Sequence, residues 1–199
     1  MNMIPGMTKL THEDLLSLER YAGERSEFRQ RVIAHKHIRN IRLGGHVSLL
    51  FEDRLTVQYQ VQEMLRIERI FEAAGIQDEL DAYNPLIPDG SNLKATMLFE
   101  FTDPEVRAQR LAQLGGIEHR VYAEVAGHAR VLAFADEDLD RSDAGKTSAV
   151  HFLRLEFSMQ AIAALRDGAA LAIGIEDPRL PERIELNQDQ RQALLADFG

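Results

Sequence analysis

The sequence predicts an α+β fold, in which a mostly antiparallel sheet packs with a central amphipathic helix and N-terminal helices. Three observations predict it. Short runs of alternating apolar and polar residues recur along the chain, some adjacent and some separated by helical periodicity. Gly44-Gly45 and Gly127-His128 stand where neighbouring runs would reverse direction. Residues 55–71 place apolar side chains on one side of a helix.

The elements follow in order. Thr11 reads as an N-cap, with Glu13 and Asp14 in the first turn and Leu15, Leu16 and Leu18 behind them, for a helix ending near Gly23. Ser26 caps a second helix to about Ala34, carrying Phe28, Val32 and Ile33. Residues 38–43 and 46–52 alternate as strands around Gly44-Gly45. The helix over 55–71 ends by Gly75. Asn84-Pro85 and Pro88-Asp89-Gly90 mark 78–92 as a loop. Strands are expected at 93–101, 120–125 and 130–135, with a helix over 104–114 after the first. Residues 136–146 form an acidic loop and 149–157 a strand. Ser158 caps a helix to Gly168, residues 170–175 form a strand, and a last helix begins near Asn187. The expected organisation is a single domain over 1–199, with its core at about 10–176 and a helical extension over 177–199.

A chain of 199 residues buries roughly 70% of its unfolded surface and needs no staples. Its 45% apolar and 28% charged content is that of an ordinary globular protein. With 23 basic against 32 acidic residues the formal charge is -9, which disfavours nucleic acid as a partner. The absence of cysteine excludes disulfides, thiol catalysis, cysteine-ligated clusters and cysteine zinc sites. The first residues lack a basic region followed by an apolar run, and no stretch is apolar over a membrane span. A cytoplasmic location without a membrane partner is expected.

The candidate sites begin with the helix over 55–71. At about 100° per residue, Val57, Val61, Met64, Leu65, Ile67 and Phe71 share one broad arc. Glu68 lies near its middle and Gln60 within it, while Gln58, Gln62, Arg66 and Arg69 make the opposite face. A carboxylate carried into a core must be paired, hydrogen-bonded, protonated or bound to metal. His151 shares a strand face with Ala149, Leu153, Leu155 and Phe157. His46 falls with Ser48, Leu50 and Glu52, and Glu100 with Lys94, Thr96 and Leu98. If these faces line one cavity, His46, Glu52, Glu68, Glu100 and His151 offer oxygen and nitrogen donors suited to iron, manganese or zinc. Of these, His46, Glu68, Glu100 and His151 are the metal-ligand candidates. A hydrogen-bonded core histidine at His151, and core charges such as Glu68 or Glu63 paired with an arginine, explain the same residues without metal.

A second candidate is a site for a small anionic molecule over 83–94. There Asp89 would act as acid or base and Lys94 or Arg66 would hold the anion. Gln60, Glu63, Arg66, Glu68, Tyr83, Asn84, Asp89 and Lys94 are the binding candidates. A pair of turns packed over a sheet edge accounts for the 83–94 segment equally.

Three weaker patterns fail on chemistry. Gly145-Lys146-Thr147 matches the end of a phosphate loop, but the first glycine of that pattern would fall at Asp140 amid acids. Asp136, Asp138 and Asp140 alternate like calcium ligands, yet Arg141 and Thr147 stand where Gly and Glu belong. Residues 29–42 carry Arg29, Arg31, Lys36, Arg39 and Arg42 without an acid or aromatic interleaving, which suits a basic face better than base stacking. Within it, His35-Lys36-His37 reads as an exposed basic turn.

Residues 46–66 (opening His46-Val-Ser-Leu-Leu-Phe-Glu-Asp-Arg), 78–96 (containing Asn84-Pro-Leu-Ile-Pro-Asp-Gly-Ser-Asn-Leu-Lys94) and 147–154 together resemble the bacterial domain-of-unknown-function family 3501. The likeness runs from about Leu10 to Glu176. Members of that family are often encoded beside rubrerythrin-like di-iron proteins and iron–sulfur oxidoreductases. The resemblance therefore implies an accessory of a redox or peroxide-defence system, with such a protein as partner and the acidic loop as docking surface. Any iron–sulfur cluster would belong to the partner. A structural homodimer module is the remaining alternative.

Overall fold

A computed structural model describes residues 8–135 and 147–199. The chain starts with a 3-10 turn, His12–Asp14, that Thr11 caps with Asp14 closing the box. Helix α1 (Leu18–Arg39) then runs unbroken where two helices were expected. Ser17 is its N-cap, its hydroxyl accepting from the Arg20 amide at 3.3 Å. Gly23 costs about 1 kcal/mol relative to alanine, but it faces open space and does not end the helix. Burial of Tyr21, Phe28 and Val32 along one side outweighs that cost.

Strands β1 (Asn40–Leu43) and β2 (Val47–Glu52) form the expected hairpin, with Gly44 at φ 62. The expected strand start at 38 is still helical. Helix α2 (Arg54–Glu68) begins with a capping box between Asp53 and Thr56 and ends at Arg69, which adopts the left-handed conformation. Helix α3 (Ala73–Tyr83) occupies the first part of the segment expected as loop. Ile76, Leu80 and Tyr83, spaced at four and three residues, supply its packed side. There follow β3 (Asn92–Phe99), α4 (Pro104–Gln113), β4 (Val121–Val125), β5 (Val131–Leu132) and β6 (Phe134–Ala135). The chain closes with β7 (Val150–Glu156), α5 (Met159–Arg166), β8 (Leu171–Ile175), β9 (Glu182–Glu185) and α6 (Gln188–Leu195).

The described strands make two antiparallel sheets, ordered β1-β2-β3-β7-β6 and β5-β4-β8-β9, so the fold is α+β. The strand expected over 130–135 divides at Ala133. One half pairs with β4 in the second sheet and the other with β7 in the first. Buried Ala133 keeps its amide bonded to the Val121 carbonyl at 2.9 Å, which holds the crossing point.

Alternation along β2, β3 and β7 sends Val47, Leu49, Phe51, Leu93, Ala95, Met97, Leu153 and Leu155 into one core with Val121, Ala123 and Ile173 of the second sheet. Leu186, Leu194 and Phe198 join this core, and the Gly199 amide bonds the Gly90 carbonyl at 2.9 Å. Residues 177–199 are therefore an integral part with a strand of their own, in place of the helical extension expected.

Helices α1, α2 and α3 carry separate apolar clusters built on Val57, Val61, Leu65 and Leu80, and on Tyr21, Phe28 and Val32. The phase of α2 differs from the expected one. Its buried residues are Thr56, Val57, Val61, Gln62 and Leu65, while Ile67 and Phe71 are 61% and 74% exposed. Gln62 was assigned to the wet face. It is buried because its amide exchanges two hydrogen bonds with the Leu16 backbone, at 2.5 and 3.2 Å, and so meets its polar requirement inside.

One ion cluster locks α1 to α2. Glu63 accepts from Arg25 at 2.7 and 2.9 Å, from the Tyr21 hydroxyl at 2.7 Å and from Arg66 at 3.1 Å. The Arg25 bonds, helped by Tyr21 and Arg66 against partial burial, draw the Glu63 carboxyl down to about 2. Its folded pKa lies below the ordinary 4.5, so its stabilisation is present above that value and is lost as pH falls towards 2. Urea unfolding across this window should show a smaller loss of stability with acid for Glu63→Gln than for the wild type. Equal slopes would contradict the assignment.

Candidate functional site

The face of the first sheet turned away from the core carries the site. On it β2 presents Ser48, Leu50 and Glu52, and β3 presents Lys94, Thr96 and Leu98. The register aligns Leu50, Thr96 and Phe152 in one cross-strand row and Glu52, Lys94 and Arg154 in the next. Lys36 from α1, Val57 and Gln60 from α2, and Tyr83 and Leu86 after them close over the Leu50 row. They bound a partly open cavity of about 260 Å³ that Glu52 and Val150 also line.

Much of the wall is apolar, but the polar groups in it stand apart. Glu52 is only 8% exposed, and its Oε1 accepts a 2.7 Å hydrogen bond from the Thr96 hydroxyl. Among the described residues no cation forms an ion pair with Glu52 and no carboxylate pairs with Lys36. The Lys36 ammonium instead stands 5.6 Å from the centroid of the Tyr59 ring. The side chains of Gln60 and Tyr83 make no hydrogen bond among the described residues. An apolar wall with a few unmatched polar groups is the usual make-up of a small-molecule site.

A buried guanidinium sets this geometry. Arg39, 1% exposed, donates to the carbonyls of Phe51 at 2.9 Å, Glu52 at 3.3 Å and Ala193 at 2.8 Å. It pairs with Asp197 and lies 3.6 Å from Asp53. Asp53 also caps α2 through the Thr56 amide at 2.9 Å and meets His35 Nε2 at 2.5 Å. Burial pushes the Asp53 carboxyl up, but the His35 bond, the Arg39 charge and the Thr56 amide outweigh it and leave it below its ordinary value. Burial pushes the Asp197 carboxyl up to about 6 against the pull of Arg39. Lys36 lies about one helical turn before Arg39, so the group that fixes the backbone of Glu52 also fixes the base of Lys36.

The expected metal ligands are not brought together. His46 is exposed and stacks on Phe101 with centroids 4.6 Å apart. Glu100 is exposed, pairs with Arg42 at 2.9 Å and accepts from the Ser48 hydroxyl at 2.9 Å. Glu68 is exposed at the end of α2, where its charge adds to burial in raising the Glu79 carboxyl. His151 is fully buried, 2.6 Å from the Thr147 hydroxyl, which bonds Glu118 at 2.9 Å. Among the described residues no three His, Asp or Glu side chains gather as a metal site. The arc that placed Glu68 in the core came from the wrong helical phase.

The binding candidates divide as well. Gln60 and Tyr83 line the cavity, while Glu63 and Arg66 belong to the α1–α2 clamp. Asn84 uses its amide on the Leu10 backbone at 2.7 and 3.0 Å. Asp89 accepts from the Ser91 amide and hydroxyl at 3.0 and 2.9 Å, a turn contact. Lys94 lies across from Glu52, and its charge adds to burial in lowering the pKa of Lys9. His35 and Lys36 are helical, not in an exposed turn. The sequence reading named neither Lys36 nor Phe152 as a binding residue. The alternation that set Glu52 and Thr96 on the non-core faces was the available signal. Residues 136–146, with their phosphate-loop and calcium patterns, lie outside the described residues.

A larger, shallower groove of about 390 Å³ lies beside Tyr122 and Arg130. Most of its charges already have partners. Arg130 pairs with Glu124 at 2.7 Å and Glu176 at 3.0 Å while lying over the Tyr122 ring. It is a weaker candidate for that reason, despite its size.

The chain belongs to the family described as protein of unknown function (DUF3501), whose model matches residues 9–198. It is similar to a crystal structure described as a novel protein of unknown function from Burkholderia pseudomallei K96243. The two share 49% identity with a TM-score of 0.92, over 96% of this chain and 100% of that one. No curated protein matches the chain. Among the described residues no helix is long and apolar enough to cross a membrane.

Removing the Arg39 guanidinium leaves the buried Asp197 carboxylate without its counter-charge and takes one positive neighbour from half-buried Asp53. Arg39→Leu should lose about 3–5 kcal/mol in denaturant unfolding. Arg42→Leu, which breaks only the exposed pair with Glu100, should lose at most about 1 kcal/mol. Similar losses for both would contradict the central place given to Arg39.

Proposed function

We propose that this member of the DUF3501 family binds a small, partly apolar organic molecule in the cavity between the first sheet and helices α1, α2 and α3. One observation carries the reading. Lys36, Glu52, Gln60 and Tyr83 line the same partly open space as Leu50, Val57, Leu86, Val150 and Phe152, with protein partners answering little of their polarity. Apolar wall supplies the affinity of such a site and a few polar groups supply its orientation. The cavity is small beside typical ligand pockets, which points to a metabolite and away from a large cofactor. Its floor is three hydrogen-bonded strands, so the shape exists before the ligand arrives and little order has to be gained on binding.

A thermal-shift screen of small organic molecules tests the reading when run on two proteins, the wild type and Gln60→Trp, whose indole would fill the cavity from half-buried α2. At a hundredfold excess over Kd a ligand adds about 2.7 kcal/mol, which in a domain of this size raises Tm by roughly 5–10 °C. Ligands should stabilise the wild type and lose that effect in Gln60→Trp, with circular dichroism confirming that both are folded. Stabilisation that does not distinguish the two proteins would overturn the assignment.

A further inference from the structure

We infer that the molecule this cavity accepts is a zwitterion, with an ammonium group for Glu52, a carboxylate for Lys36 and an apolar body between them. That is the chemistry of an amino acid with an aliphatic or aromatic side chain. The inference rests on the reading that the cavity binds a small molecule, and it deepens that reading by naming the ligand class.

Two opposite charges, Lys36 and Glu52, line one space and form no ion pair with each other. Flexible lysines near a carboxylate usually close the gap. Here they are kept apart. Lys36 projects from a helix whose end is clamped by Arg39, and its ammonium is drawn to the Tyr59 ring. Glu52 ends β2, with its carbonyl bonded to the same Arg39 and its Oε1 to Thr96.

Each simpler ligand leaves one charge unanswered. A carboxylate without an amine would meet Lys36 but bring its charge near a buried Glu52. An amine without a carboxylate would meet Glu52 and face Lys36. A neutral ligand would exclude water from both, and a desolvated charge without a counter-charge is costly. A zwitterion satisfies both groups at once. Gln60 and Tyr83 then serve its head groups, and Leu50, Val57, Val150 and Phe152 surround its side chain. At about 30 Å³ per water, the space holds roughly nine waters, or a ligand of roughly ten non-hydrogen atoms.

The test is titration calorimetry on the full chain with two matched series sharing an apolar body. One is L-leucine, 4-methylpentanoate and 3-methylbutylamine; the other is L-phenylalanine, 3-phenylpropanoate and 2-phenylethylamine. An amino acid should bind at least tenfold more tightly than either single-charge analogue of its series. Glu52→Gln, which keeps an acceptor for Thr96, should weaken the amino acid at least tenfold without weakening the acid. Lys36→Met should weaken it without weakening the amine. An acid or amine that binds as well as its amino acid overturns the zwitterion assignment while leaving the cavity's role as a binding site standing. Absence of binding by every member of both series also overturns it, and the Gln60→Trp comparison then decides the cavity's role separately.

Discussion

The structure depends on one buried guanidinium. Burying Arg39 removes a permanent charge from water, which is tolerated only where geometry and hydrogen bonding are close to complete. Its planar fork reaches carbonyls of β2 and of α6 and the Asp197 carboxylate, and its charge bears on Asp53 as well. A lysine offers a point charge and could not span these directions at once. Through these contacts the C-terminal end of α1, the last residues of β2, the cap of α2 and the end of the chain meet at one point. The final residues are therefore part of the α1–β2 junction.

That junction explains how a cavity persists beneath the helices. The inner face of the first sheet is apolar apart from buried His151 and packs against the second sheet. The outer face mixes Leu50 and Phe152 with Glu52, Thr96 and Lys94, and no single helix can cover such a surface evenly. Helix α2 takes its packing from Leu16, Leu80 and the Glu63 clamp, so it stands over the sheet without filling it. Held from both ends, Lys36 and Glu52 face one space with their charges unspent on each other. Preorganisation of this kind is what a binding site requires of its support.

Local chemistry was legible where it acts over a few residues. The alternation in β2, β3 and β7, the turn at Gly44, the cap at Ser158 and the helix start near Asn187 are short-range signals, and the structure contains each of them. Misreadings arose where distant partners decide. Gly23 looks like a helix stop until Tyr21 and Phe28 are buried together, and Gln62 looks wettable until it meets the Leu16 backbone 46 positions away. The same phase error turned exposed Glu68 into a buried carboxylate. Gln60 stood out as polar within an apolar pattern, and the structure places it in the cavity wall. Lys36 was hidden in a basic run, because its surroundings depend on helix α1 continuing past Ala34. Glu100 does meet Ser48 of its expected face, but it lies just past β3, and His46 precedes β2 and stacks on Phe101.

Hydrogen exchange on Arg39→Gln tests this account most directly, since it reads each junction separately. Amides at the start of α2, including Thr56 and Val57, and those of α6 should lose protection together, while β4 and β8 of the second sheet keep theirs. Protection that persists in both α2 and α6, or that falls equally throughout the chain, would contradict a junction organised by Arg39.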